Sequence, residues 1–161
     1  MPRKALLHIE DADEGAAAGH LAFDGLDELL GYRLRRAQGA MHRHYMLSVG
    51  ELDLTQKQTA TLWLIHANAG VSQVSLATTL GTDRATMMSV VNRLQERGLL
   101  LRKRSSSDRR RQELYLTPAG QSLLTNVKIR IARHEERFKS LFTRSELAAL
   151  LSTLRKFRDI P

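Results

Sequence analysis

The chain has 161 residues, of which 42% are hydrophobic and 26% are charged, a composition typical of a globular domain with a substantial core. Its net charge of +8 favours a polyanionic partner, either nucleic acid or an anionic membrane surface. The absence of cysteine excludes disulfides, thiolate metal sites and cysteine redox sensing. Because the sequence has neither an apolar run long enough to span a bilayer nor a signal peptide, we expect a cytoplasmic protein.

The first 22 residues form an acidic segment with little apolar periodicity. Its acidic side chains are Glu10, Asp11, Asp13 and Glu14. Such a composition predicts a flexible N-terminal arm. The alternative interpretation is a packed segment around Leu6, Leu7 and Ile9.

Two helices are predicted after this arm. From Leu26 to Tyr45, apolar residues recur at intervals of three or four, which predicts a long amphipathic helix that ends near Ser48. Thr55 and Gln58 have the spacing of a capping box and predict the start of a second helix, which stops at residue 70.

The centre of the chain has the pattern of a helix-turn-helix. A short helical stretch begins at Ser72 and breaks at Gly81, and a second helix starts at Thr82 and Asp83 and ends at Gly98. The second helix has one apolar face, formed by Met87, Val90, Val91 and Leu94. The second helix of such a motif can lie in the major groove of DNA.

A cationic β-hairpin is predicted next. Residues 99–104 and 113–116 read as two strands, joined by a polar tip. Nine basic and three acidic residues lie between Thr82 and Arg111, a net charge of +6 within a chain whose total is +8. Charge concentrated in this way indicates a surface that binds a polyanion.

The C-terminal part predicts two more helices. Thr117 is a candidate N-cap, with Pro118 at the first position of a long helix that runs to about Phe142. Thr143 and Glu146 form another capping box, which opens the last helix. The apolar face of that helix comprises Leu147, Leu150, Leu151, Leu154 and Phe157. The terminal helices thus have more apolar surface than a small domain can bury, which predicts a homodimer.

Specific motifs lie between Ser72 and Gly120. Asp108-Arg109-Arg110 falls at the hairpin tip, and Leu116-Thr117-Pro118-Ala119-Gly120 follows the second strand. Together with Ser72-Gln73, Leu76-Ala77, Leu80-Gly81, Val91-Asn92-Arg93-Leu94 and Gly98-Leu99-Leu100, they resemble the winged helix-turn-helix core of MarR-family transcriptional regulators. That family has Asp-x-Arg in its wing, followed by Leu-Thr-x-x-Gly. The order of helices extends the resemblance to roughly residues 26–157, and it also implies dimerisation through the terminal helices.

The predicted fold is mainly α with a small β-hairpin wing, in the form of a winged helix-turn-helix domain plus a helical dimerisation frame. We assign residues 1–22 to the acidic flexible arm, 23–50 and 118–161 to the dimerisation region, and 51–117 to the DNA-binding domain.

The predicted DNA contacts lie on the second helix of the motif and on the wing. Arg and Asn side chains form bidentate bonds with guanine and adenine edges, whereas Ser and Thr mostly bond phosphate. Arg at the wing tip can enter a narrow minor groove, and Asp108 is expected to hold a neighbouring Arg or Arg93. The predicted set is Ser72, Gln73, Thr82, Arg84, Thr86, Met88, Ser89, Asn92, Arg93, Arg102, Lys103, Arg104, Ser107, Asp108, Arg109, Arg110 and Arg111. The alternative for each of these faces is a solvated surface.

The family resemblance also implies a small, often aromatic or anionic, effector in a cleft between the dimer frame and the winged domain. The candidate residues are Arg33, Arg36, His42, Tyr45, Trp63 and His66. The cationic side chains would pair with a carboxylate or phosphate, and the Tyr and Trp rings would offer flat faces. The density of Arg in residues 32–36 favours an anionic effector, such as an aromatic acid or its coenzyme A thioester. Alternatively, the arginines solvate the first helix and Trp63 belongs to the core.

Enzymatic, cofactor and metal functions find no support in the sequence. It has no Gly-rich phosphate loop, nucleophile elbow or paired carboxylates at catalytic spacing. His42 and His44 do not share a helical face, and no carboxylate cluster accompanies them. We therefore predict a transcriptional repressor that binds a pseudo-palindromic double-stranded DNA operator as a homodimer, contacts no membrane, and is released by a small anionic effector. The alternative is an architectural DNA-binding protein without an effector.

Overall fold

The computed structural model describes residues 21–105 and 112–157, which form six α-helices and one β-hairpin. In chain order these are α1 (Leu30–Val49), α2 (Gln56–Ala67), α3 (Gln73–Thr79), α4 (Arg84–Glu96), β1 (Leu100–Arg104), β2 (Gln112–Leu116), α5 (Pro118–Lys139) and α6 (Arg144–Lys156). This order confirms the predicted fold class. Among the described helices, none combines the length and apolarity needed to cross a membrane.

The helix starts predicted from capping residues are confirmed. Thr55 and Gln58 form a complete capping box at the start of α2, and Thr143 and Glu146 form another at α6. The Thr117 hydroxyl accepts a hydrogen bond from the backbone N–H of residue 120 at 3.0 Å and caps α5. These bonds satisfy backbone donors that the first turn of a helix leaves unpaired, so they fix where each helix begins.

The predicted start of the first helix at Leu26 is wrong. Residues 26–28 form a 3-10 turn, and α1 begins only at Leu30. Asp24 and Gly25 have positive φ angles of 47° and 83°, and Leu29 is extended, so the backbone is not continuously helical here. The apolar spacing continues across this break, which is why periodicity did not reveal it.

The described residues fall into two compact units, one that ends at Ala37 and one that begins at Gln38, within α1. The second unit contains the hydrophobic core. Its fully buried side chains include Leu62 and Ile65 of α2, Leu76 of α3, Met87, Val91 and Leu94 of α4, Leu100 and Leu114 of the hairpin, and Leu124 and Val127 of α5. Because these elements share one core, the orientation of α4 is fixed relative to the hairpin and α5.

The hairpin is a two-stranded antiparallel sheet with Leu100 opposite Leu116 and Arg102 opposite Leu114. Val71, just before α3, adds a β-bridge to Leu114, and its carbonyl accepts the Leu114 N–H at 3.1 Å. The wing is therefore attached to the helix-turn-helix by backbone hydrogen bonds as well as by the core.

The Leu-Thr-x-x-Gly motif has a structural explanation at the junction between the hairpin and α5. Thr117 donates its hydroxyl to the carbonyl of Gly98 at 2.7 Å, which draws the first turn of α5 against the end of α4. A Cβ on Gly120 would lie 1.9 Å from the carbonyl oxygen of Leu99. Only glycine permits this approach, so the motif sets the angle at which α5 leaves the wing.

Candidate nucleic-acid interface

The face of α4 that points away from the core is polar and exposed. Met87, Val91 and Leu94 are buried at 0% exposure on the inner face. On the opposite face the exposed side chains include Arg84, Met88, Ser89 and Arg93, all members of the predicted DNA-binding set. Met88 is half exposed although it is apolar. This arrangement presents hydrogen-bond donors and one apolar contact on a single helical surface.

The start of α4 is fixed by Asp83. Its carboxylate accepts the backbone N–H of Thr86 at 2.8 Å and the Thr86 hydroxyl at 2.6 Å. Donation from the Thr86 side chain, followed by that from its backbone, lowers the pKa of Asp83. Thr86, which the sequence placed among the DNA contacts, thus uses its hydroxyl proton within the cap. Gly81, with φ +57°, supplies the turn before this cap.

Three further predicted contacts lie around α3. Ser72 and Gln73 are half-buried, and the Ser72 hydroxyl accepts the backbone N–H of Ser75 at 3.1 Å. Thr82 is also half-buried, and its backbone N–H donates to the carbonyl of Ala77 at 3.0 Å. Ser72 and Gln73 thus lie at the start of α3, and Thr82 lies in the turn between α3 and α4.

The end of α4 is tied to two other parts of the chain. Arg102 of β1 donates to the side-chain oxygens of Asn92, at 2.6 Å, and of Gln95. Arg97 donates to the carbonyls of Leu52, at 3.0 Å, and Asp53. The sequence predicts Arg102 as a DNA contact and predicts no role for Arg97. In the structure, Arg102 links α4 to the wing, and Arg97 links α4 to the segment between α1 and α2.

The described part of the wing is cationic on its exposed side. Lys103 and Arg104 are exposed, and the Lys103 ammonium lies 5.1 Å from the centre of the Tyr115 ring. The Tyr115 hydroxyl donates to Glu113 at 2.8 Å, and this bond raises the pKa of Tyr115. The predicted tip residues Ser107, Asp108, Arg109, Arg110 and Arg111 lie outside the described residues, as does the expected pairing of Asp108.

A groove with a volume of about 670 Å³ lies between the C-terminal half of α1 and α5. Its described lining includes Arg130, Arg133 and Arg137 of α5 and has no acidic side chain. Arg130 donates to the carbonyl of Ser48 at 3.1 Å and pairs with Glu51 at 2.9 Å. The three arginines have helical spacing on one face, which is the sequence signal that could have revealed this cationic groove.

The wall of this groove contains a pair of stacked histidines. The Nδ1 atoms of His44 and His134 lie 2.7 Å apart, so one ring donates to the other. His134 is 4% exposed and also contacts Phe138. Burial, followed by the proximity of His44, lowers the pKa of His134. Among the described residues, no group of three or more His, Cys, Asp or Glu side chains could hold a metal ion.

The predicted effector residues are distributed over both units. In the first unit, Arg33 pairs with Asp27 at 3.5 Å, and Arg36 lies 3.5 Å from the hydroxyl of Tyr32. In the second unit, His42 and His66 are exposed.

The two aromatic residues of that set differ in environment. Tyr45 is buried in the core, and its hydroxyl lies 2.8 Å from that of Thr59; burial raises its pKa. Trp63 is 38% exposed and has the Lys128 ammonium 4.8 Å from its ring centre. The Trp63 ring is therefore more accessible than that of Tyr45.

Comparisons with known proteins agree with this arrangement. The sequence model of the MarR family matches residues 54–111. A putative transcriptional regulatory protein for the hcr operon of Thauera aromatica is 33% identical over 128 residues, which are 79% of this chain and 77% of that protein. The transcriptional repressor CouR bound to a 23-mer DNA duplex is 40% identical, with a TM-score of 0.81, and the match covers 87% of this chain and 99% of that one. CouR bound to p-coumaroyl-CoA is 37% identical over the same shares, with a TM-score of 0.79.

Proposed function

The chain belongs to the MarR family of transcriptional regulators, and on that premise we propose that it is a dimeric repressor that an anionic effector releases from a pseudo-palindromic operator. The observation that carries the proposal is the exposed polar face of α4 beside a cationic strand. In this proposal α4 is the recognition helix, Arg84, Ser89 and Arg93 face the major groove, and Lys103 and Arg104 of the wing neutralise phosphates.

The proposed dimer rests on α6. None of its residues, all of which the structure describes, is buried within the chain. Leu150, Leu151, Leu154 and Phe157 are 36–45% exposed on one side of this short helix. An isolated helix of this kind is only marginally stable in water, and its apolar face needs a partner. A second copy of the chain supplies that partner and also sets the distance between two recognition helices.

The groove between α1 and α5 supports an anionic effector. Its volume of about 670 Å³ suits a small organic molecule. Arg133 and Arg137 line it, and neither has an ion-pair partner among the described residues. Guanidinium groups match carboxylates and phosphates, and an aromatic acyl-coenzyme A ester carries several phosphates. Arg33, Arg36, His42, Tyr45, Trp63 and His66 stay the effector residues predicted from the sequence.

Release of DNA would act through the segment between α1 and α2. Arg130 binds the last turn of α1 through the Ser48 carbonyl and this segment through Glu51. Arg97, at the end of α4, binds the same segment through Leu52 and Asp53. An anion in the groove competes with Glu51 for Arg130. The segment then shifts, and α4 shifts with it, so the two ligands favour different conformations.

The test begins with a duplex selected by the protein from a random pool. Fluorescence anisotropy then measures its affinity with p-coumaroyl-CoA, p-coumarate or free coenzyme A present. We expect at least one of these anions to weaken DNA binding by about 10-fold, a typical coupling between two sites. The Arg133→Ala, Arg137→Ala double variant should respond less, whereas Arg144→Ala, on α6 and outside the groove, should respond as the wild type does.

Three results would contradict parts of the proposal. Equal affinity for the selected and a scrambled duplex would favour the architectural alternative. A selective complex that none of the anions weakens would remove the anionic effector. A response lost in Arg33→Ala and Arg36→Ala but kept in the groove variant would place the effector on the residues predicted from the sequence instead.

A further inference from the structure

Arg102 lies at the base of the wing, yet its guanidinium reaches the recognition helix. It donates to the Oδ1 atom of Asn92 at 2.6 Å and to the Oε1 atom of Gln95. We propose that Arg102 is a positioning residue that determines which base edges the recognition helix reads, because it fixes the orientation of these two amides. This inference rests on the proposed DNA binding by α4 and concerns its specificity.

The geometry of β1 places the Arg102 side chain beside α4. Side chains two residues apart on a strand point to the same face, so Arg102 shares the face of Leu100, which is 2% exposed. Its strand partner is the buried Leu114. Asn92 and Gln95 are three residues apart and therefore neighbours on the surface of α4. One planar guanidinium with several donors can bridge them, and Arg102 is accordingly half-buried rather than extended into solvent.

The chemistry of the contact determines which groups remain available. A guanidinium has no acceptor, so the oxygen of each amide, and not its nitrogen, must face Arg102. Arg102 engages one lone pair of the Asn92 oxygen, which leaves the NH₂ group and the other lone pair for DNA. The two amides, Glu96 and Arg102 line a hollow of about 280 Å³ next to the exposed face of α4. Arg102 thus fixes the direction in which the Asn92 amide presents its NH₂ donor and its remaining lone pair.

This fixed orientation limits the base contacts that Asn92 can make. The bidentate pairing of Asn with adenine needs the amide oxygen to accept a bond from the base. Because Arg102 holds one lone pair of that oxygen, Asn92 can form the adenine pair only with a base that meets its remaining lone pair and its NH₂ group together. Elsewhere the NH₂ group donates to acceptors such as guanine O6 and N7 or thymine O4, or to phosphate.

The substitution Arg102→Lys separates the effect of amide orientation from the effect of positive charge. Arg102→Lys keeps the positive charge but has a single compact ammonium that cannot hold two amide oxygens in a fixed plane. Lys103→Ala is the matched control on the same strand, since Lys103 is exposed and bonds neither amide. We expect Lys103→Ala to weaken binding to all duplexes about equally and to reduce its salt dependence.

The experiment measures affinities for the selected duplex and for duplexes that differ from it at single base pairs. In Arg102→Lys, discrimination at one or two positions should fall on the order of 10-fold, as for the loss of one base contact. The Asn92→Ala, Gln95→Ala double variant should lose discrimination at the same positions, and adding Arg102→Lys to it should cause no further loss. Circular dichroism and a thermal melt establish that each variant is folded.

A second variant tests the direction of the amide. Asn92→Asp keeps an oxygen for Arg102 but presents an acceptor to DNA in place of the NH₂ donor. It should move the base preference at those positions towards bases with donors. Unchanged discrimination in Arg102→Lys, or a further loss when Arg102→Lys is added to the Asn92→Ala, Gln95→Ala double variant, would overturn the inference. By contrast, a wild-type protein that does not discriminate between duplexes would overturn the proposed function itself.

Discussion

The substitution Gly120→Ala tests how the wing is joined to the rest of the molecule. The added Cβ would lie 1.9 Å from the carbonyl oxygen of Leu99 and 2.9 Å from its carbon, and both are backbone atoms. No rotation of a side chain can relieve this contact. The first turn of α5 and the chain between α4 and β1 must therefore move apart.

The change in the free energy of unfolding caused by Gly120→Ala is the sum of opposing effects. Overpacking of this kind costs about 1–3 kcal/mol. Movement also strains the Thr117 N–H bond to Leu99, at 3.1 Å, and the Thr117 hydroxyl bond to Gly98, at 2.7 Å, each worth about 0.5–1.5 kcal/mol. The better helix propensity of alanine returns at most about 1 kcal/mol. The steric and hydrogen-bond losses exceed that gain, so we expect a net loss of about 2–3 kcal/mol.

Urea unfolding at one fixed protein concentration measures this loss, since the stability of a dimer depends on concentration. Gly31→Ala in α1 is the matched control, because no described atom lies within 4 Å of the Cβ it adds. It should leave the free energy of unfolding unchanged or slightly raised. A Gly120→Ala protein within about 0.5 kcal/mol of the wild type would refute the packing argument, because surface substitutions change stability by that amount.

Three other predictions concern the cap, the histidine pair and α6. Asp83→Ala should lower the melting temperature at pH 7, and the difference should shrink as the pH falls through the lowered pKa of Asp83, where the wild-type carboxylate is also lost. The free energy of unfolding of the wild type should decrease below about pH 6.5, because His134 is protonated in the unfolded chain there but stays neutral when buried. In urea titrations, His134→Leu should make this pH dependence weaker. A profile equally steep in the variant would exclude His134 as the cause. Leu150→Glu with Leu154→Glu should convert a dimer to a monomer in light scattering, and a wild type that is already monomeric would contradict the proposed interface.

The helix starts were predictable from the sequence because capping is local. Thr55 and Thr143 bond to residues only three positions away, so their spacing alone identifies the start of a helix. The apolar face of α4 was equally local, since Met87, Val91 and Leu94 recur at helical intervals and are all buried. The break before α1 was missed because the extended backbone at Leu29 does not interrupt the apolar pattern.

Contacts between distant residues were not predictable in this way. Arg130 bonds to the carbonyl of Ser48, 82 positions earlier, and Arg97 bonds to that of Leu52, 45 positions earlier. Neither pair has a sequence pattern, because a backbone carbonyl accepts a bond from any arginine that the fold brings near. Arg102 bonds to side-chain amides on another element, and no spacing in the sequence indicates such a contact. The sequence therefore suggested that Arg102 binds DNA directly, and only the structure revealed its bonds to Asn92 and Gln95.

In the proposed complex, the two recognition helices of a dimer enter successive major grooves. Dimethyl sulfate protection of guanine N7 on the selected duplex tests this arrangement most directly, because N7 lies in the major groove. The proposal predicts two blocks of protection related by two-fold symmetry, with centres separated by about 10 base pairs or a multiple of that distance. The Arg84→Ala, Arg93→Ala double variant should lose both blocks. A single block, or weak protection spread evenly along the duplex, would contradict this arrangement.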